Sequence, residues 1–236
     1  MGCDIHLFGE KKIGGEWKLL TGLNQSGIDM CKQALENSLD TEYWLDRLEK
    51  CKNDPRFIYD ERNYAVFSIL ANVRNGRGFA GCDTGDGYIP IEEPRGLPDD
   101  ACDFIKARAY EWGGDGHSHS FFTLKELLEY DWNQVSVVRG FVSEEEYVVF
   151  KRNGKPNSYC GGVGGRCIMQ TSNGNMDGII ANPSLKEEGG RYYTKVEWNE
   201  SYKDSAGSFY TRTLPLLKGL AGGDLESVRI VFWFDN

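Results

Sequence analysis

The chain has 236 residues, 40% of them hydrophobic and 13% aromatic, which suits one large packed domain and excludes a disordered chain. Its formal net charge of -9 argues against general nucleic-acid binding and against a polybasic membrane binder, but leaves room for a small anionic ligand in a local arginine pocket. The seven cysteines, at 3, 31, 51, 82, 102, 160 and 167, are odd in number and form no Cys-x-x-Cys pair, so free thiols in the cytoplasm are expected rather than a zinc ribbon or a thioredoxin-type motif.

Residues 4–20 read as a β-hairpin, with Ile5 and Leu7 alternating against Asp4, His6 and Phe8 and Gly14-Gly15 supplying the turn. No secretory leader is read at the N-terminus, and no apolar run is long enough to span a membrane. Two helices are expected next, one from Ser26 carrying Ile28, Cys31, Leu35 and Leu39, the other from Thr41 carrying Trp44, Leu45 and Leu48. A third covers about 63–73. Residues 74–98 hold so many glycines and prolines that a long functional loop is expected. Pro98-Asp99-Asp100 signals a helix over 101–111, and Thr123-x-x-Glu126 forms a capping box for another. A strand over 135–139 and a helix capped by Ser143 follow, and 153–190 reads as loop. Two strands are expected over 192–202 and 228–235, with a helix over 208–220 between them kinked at Pro215. Strands at both ends with helices between predict an α+β fold, a single mixed or antiparallel sheet holding both termini, in one domain over 1–236.

The chain's three histidines fall in two Asp-x-His clusters, Asp4-x-His6 and Asp115-x-His117-x-His119. On an extended backbone residues two apart share a face, so each cluster presents its ligands together. Imidazole nitrogen and carboxylate oxygen are the usual ligands of zinc and manganese. Asp4, His6, His117 and His119 are therefore expected to converge on one divalent ion, with Asp115 and His119 in catalytic roles, as base or as orienter of a histidine. The plainer alternative makes His6 a hairpin surface residue and Asp115 an Asx turn. Glu10 shares the parity of His6 and reads either as a further ligand or base or as a solvated edge residue. Arg74, Arg77 and Arg95 flank the glycine-rich loop and would bind the phosphate of an anionic ligand, although neither a Walker motif nor a Gly-x-Gly-x-x-Gly is present. No nucleophile elbow accompanies Ser118 or Ser120.

The opening Met1-Gly2-Cys3-Asp4-Ile5-His6, the stretch from Arg62-Asn63-Tyr64 to Arg74-Asn75, Pro94-Arg95-Gly96-Leu97-Pro98 and Asp115-Gly116-His117-Ser118-His119-Ser120 resemble an uncharacterised family found in bacteriophage and bacterial genomes. That resemblance covers about the first 130 residues and carries no activity with it. A fainter similarity is to metal-dependent phosphoesterases of the polymerase-and-histidinol-phosphatase type, which open with Asp-x-His-x-His; here Phe8 stands in place of the second histidine. Together these imply a metal-dependent hydrolase of a phosphate ester, such as a cyclic nucleotide signal, serving phage counter-defence in the host cytoplasm. The alternative is a non-enzymatic protein that sequesters a nucleotide or binds a host factor.

Overall fold

A computed structural model describes residues 2–21, 25–37, 40–53 and 58–235. In chain order these form β1 (Asp4–Ile13), β2 (Glu16–Leu19), α1 (Gln25–Asn37), α2 (Thr41–Asn53), α3 (Tyr64–Ala71), α4 (Asp103–Glu111), β3 (His117–Thr123), α5 (Leu124–Glu129), β4 (Val135–Ser143), α6 (Glu144–Asn153), β5 (Ile168–Thr171), α7 (Asn173–Ala181), β6 (Arg191–Ser201), α8 (Tyr202–Ala206), α9 (Leu214–Ala221) and β7 (Val228–Asp235). Leu39, which periodicity assigns to the first helix, lies outside the described residues. The class is α+β. The strands, however, make two sheets rather than one. The chain groups into two compact units, one of Cys3–Arg62, Glu92–Tyr130 and Ser208–Asn236, the other of Met1–Gly2, Asn63–Ile91 and Asp131–Gly207.

The first unit holds an antiparallel sheet in the order β2-β1-β7-β3. As expected from both ends of the sequence, the first and last strands share it. β7 is central and is buried from Val228 to Phe234, which is why it reads as a nearly continuous apolar run. Phe8, Val231 and Trp233 occupy one face, where Ala101, Ile105 and Ala109 from the α4 segment cover them. The opposite parity of β7 turns Ile230, Phe232 and Phe234 to the other face, and these are buried as well. Glu10 is not a solvated edge residue. It is fully buried, its carboxylate taking Arg229 Nε at 2.6 Å and the Cys102 backbone N–H at 2.7 Å. Arg229 also reaches Asp100 at 2.7 Å and lies 4.0 Å from the Trp17 ring centre. In the same unit α1 and α2 pack as a hairpin around Ile28, Cys31 and Leu48.

The second unit holds the order β4-β6-β5, antiparallel between β4 and β6 and parallel between β6 and β5. Val138, Val142, Tyr147, Met176, Val196 and Trp198 form its core. Part of the glycine-rich loop joins this sheet. The Asp86 N–H donates to Val137 O and the Arg139 N–H to Thr84 O, each at 2.9 Å, so residues 84–86 extend the free edge of β4. A side chain at Gly85 would place Cβ 2.0 Å from Val137 O, so only glycine admits this approach. The region 153–190 is more regular than its composition suggests, since it contains β5 and α7. Near the chain's end, Pro215 lies in the first turn of α9 after a π-helical turn over Phe209–Thr213, and so begins a helix instead of kinking one.

Candidate functional site

The candidate site lies on the sheet of the first unit, where β1, β7 and β3 run side by side. His6 is opposite Trp233 across the β1–β7 ladder, and Asp4 is opposite Asp235. The His6 and Trp233 rings stand 5.6 Å apart at 19°. On the other side of Trp233, the His119 ring stands 5.7 Å away at 21°. Trp233 thus sits between two imidazoles on one face of the sheet. Trp112, just past the end of α4, lies over His6 with ring centres 4.2 Å apart.

His117 is directed elsewhere. It pairs with Phe234 in the β3–β7 ladder, while Ser120 pairs with Phe232, so Ser118 and His119 together oppose the single residue Trp233. This is a β-bulge, and Ser118 adopts φ 51° within it. Strand parity alone would put His117 and His119 on one face. The extra residue breaks that parity: the His117 ring stacks on Phe234 at 6.0 Å, on the face opposite to Trp233. Its Nδ1 lies 3.0 Å from Ser118 Oγ.

The expected convergence of Asp4, His6, His117 and His119 is therefore not what the sheet builds. His6 and His119 are separated by the width of β7, ~10 Å between their strands. Ligands of one zinc ion must each stand ~2 Å from it. Among the described residues, no group of three or more His, Cys, Asp or Glu side chains is placed to hold an ion. The acids are differently engaged. Both Asp4 oxygens are taken by the Arg62 fork at 2.8 and 2.6 Å, and that guanidinium holds the carboxyl below its ordinary range. Asp235 accepts the Asp4 backbone N–H at 3.1 Å and stands 3.2 Å from His6 Nε2. Asp115 is exposed on a turn closed by its N–H to Trp112 O at 3.0 Å, and its carboxylate makes no hydrogen bond to a histidine.

Two features make this face chemically distinctive. The first is His119, half-buried with its pKa lowered, chiefly by burial and further by His117 nearby, so that its imidazole is neutral near pH 7. The second is Trp233, fully buried, whose indole N–H has no hydrogen-bond partner. Gly116 allows the turn to press close: a Cβ there would meet Trp112 Cβ at 3.0 Å and the His119 ring at 3.4 Å. Gly113 and Gly114 face open space. Elsewhere in this unit, an open groove of about 250 Å³ lies between Ile58–Glu61 and the π-helical turn, and none of the candidates read from the sequence lines it.

The three arginines are divided between the units. Arg95 belongs to the first unit, where its guanidinium is paired with Glu92 and, at 2.7 Å, with Glu126, and lies 4.7 Å from the Phe122 ring centre. Arg74 and Arg77 belong to the second unit, where the Arg77 backbone bridges Asp83 at the base of the glycine-rich turn. Trp112, Asp235 and Arg62 are site residues to which the sequence reading gave no role. The parity of β7 puts Asp235 on one face with Trp233, whose aromatic ring reads from sequence as core rather than as a base-stacking platform.

No family model, curated protein or solved structure matches the chain. None of its described helices is long and apolar enough to cross a membrane.

Proposed function

We propose that the chain is a nucleotide-binding protein that seats a planar base against Trp112 and His119 and holds its ligand without a metal ion and without turnover. The observation that carries this reading is the pair of half-buried rings Trp112, over His6, and His119, beside the buried Trp233, set as aromatic faces rather than as a coordination sphere. Aromatic and imidazole faces stack on nucleobases without needing a particular sequence of donors. In the counter-defence setting that the opening motifs suggest, such a protein would act by sequestering a signal.

The test is to titrate the full chain with cyclic and linear nucleotides, following tryptophan fluorescence and the nucleotide by chromatography. Binding with the nucleotide recovered intact, and with an affinity unchanged by a chelator, is expected. Trp112→Ala should weaken binding by ~1–3 kcal/mol, roughly five- to 150-fold. Metal-dependent conversion of the nucleotide would overturn sequestration in favour of hydrolysis. Full affinity in Trp112→Ala would remove the site from this face.

A further inference from the structure

The α1–α2 hairpin carries a second chemistry, independent of the ligand reading. Its core joins Ile28, Cys31 and Leu35 of α1 to Trp44, Leu48 and Cys51 of α2, spacings that place each trio on one helix face. Cys31 is fully buried at this seam and Cys51 half-buried. Both thiols pack into this one cluster, one from each helix. Two cysteines that facing helices contribute to one packed cluster stand where a disulfide would join the helices. The exposed thiols, Cys160 and Cys167, lie in the other unit.

We infer that Cys31 and Cys51 form a dithiol that a peroxide-class oxidant converts to a disulfide, stapling α1 to α2. Cys51 is the entry point, because it alone of the pair is partly open to solvent. Its thiolate attacks the peroxide oxygen and breaks the O–O bond, giving Cys51 sulfenic acid and hydroxide, which takes up the proton the thiol released on ionising and leaves as water. The Cys31 sulfur then attacks the Cys51 sulfur. An S–S bond forms, the S–O bond breaks, and the leaving hydroxide takes the Cys31 proton to become a second water. The two electrons lost by the dithiol reduce one peroxide. Burial holds the Cys31 thiol's pKa up, with the Cys51 contact adding to it, while Arg47 acts in the opposite sense. Cys31 is thus protected from the oxidant and acts as the resolving thiol. Reversal needs only a reducing dithiol.

The experiment treats the full-length native protein with hydrogen peroxide, blocks the remaining thiols, and maps peptides under non-reducing conditions by mass spectrometry. A cross-linked peptide joining Cys31 to Cys51, lighter by two hydrogens and released by a dithiol reductant, is expected. It should persist in a Cys160→Ser, Cys167→Ser double variant. Hydrogen exchange in α1 and α2 should be slower in the oxidised protein than in the reduced one. In Cys51→Ser, Cys31 should remain a free thiol at the same dose. The inference is overturned if Cys51 passes to sulfinic acid while Cys31 stays free. It is equally overturned if the cross-link forms only in denaturant.

Discussion

Ser118 holds φ at 51°, a conformation in which an L-residue brings Cβ against the following carbonyl. The bulge depends on that angle, and the bulge sends His117 and His119 to opposite faces. Ser118→Gly should be neutral or slightly stabilising, because glycine enters this region without strain. Ser118→Val should cost ~1–3 kcal/mol, since a β-branched residue fits it worst. Denaturant unfolding of both variants measures the difference; equal stabilities would mean that the bulge is not strained. His119 supplies a second prediction at this scale. Its pKa in the folded chain lies below the ordinary 6.5, so the unfolded chain binds more protons between the two values. The stability it contributes is present above pH 6.5 and is lost as pH falls through that window. His119→Gln should therefore flatten the dependence of the urea midpoint on pH below about 6.5, while leaving the acid loss from Asp4 at lower pH in place. An unchanged slope would show that His119 is as easily protonated in the fold as in the unfolded chain.

Among the elements, the β1–β7 ladder buries the ion pair of Glu10 and Arg229. Arg229 serves two carboxylates, Glu10 and Asp100, while Glu10 has one cationic partner among the described residues. Arg229→Met leaves Glu10 buried without its counter-charge and should cost ~3–5 kcal/mol. Glu10→Met should cost less, because Asp100 still holds the guanidinium, and the double variant should cost less than the sum of the singles. Strict additivity in chemical denaturation would contradict this account. The same ladder explains what could be read from the sequence. Hairpin β1–β2, both terminal strands and the capping box at Thr123 rest on local patterns, and all are present. The parity of Asp4 and His6 held because β1 carries no bulge between them. That of His117 and His119 did not, because a serine in a left-handed conformation looks like any other serine in a strand. Glu10 looked solvated because its partner lies 219 residues away along the chain. Asp235 went unnoticed beside His6 for the same reason: register between strands at opposite ends of a chain is not written in either one. The glycines around Gly85 suggest a ligand loop, and Gly85 itself brings one backbone against another.

For the whole molecule, the chain's division decides how damage spreads. Each unit is assembled from separated segments, so neither is complete until distant parts of the chain have come together, a topology that slows folding. Within the first unit Trp233 is fully buried on the central strand and touches His6, Phe8 and His119. Trp233→Ala should open a cavity there and cost ~3–5 kcal/mol. Hydrogen exchange read residue by residue then tells how far that loss travels. If the two groups of contacts open separately, amides of β1, β3 and β7 lose protection while the β4–β6 ladder keeps its own, because no strand of that ladder belongs to the unit that Trp233 supports. We expect this separate response, since each unit has its own sheet and its own apolar cluster. A uniform fall in protection across both sheets would instead mean that the chain unfolds as one cooperative domain, with the segments that cross between the units carrying the coupling.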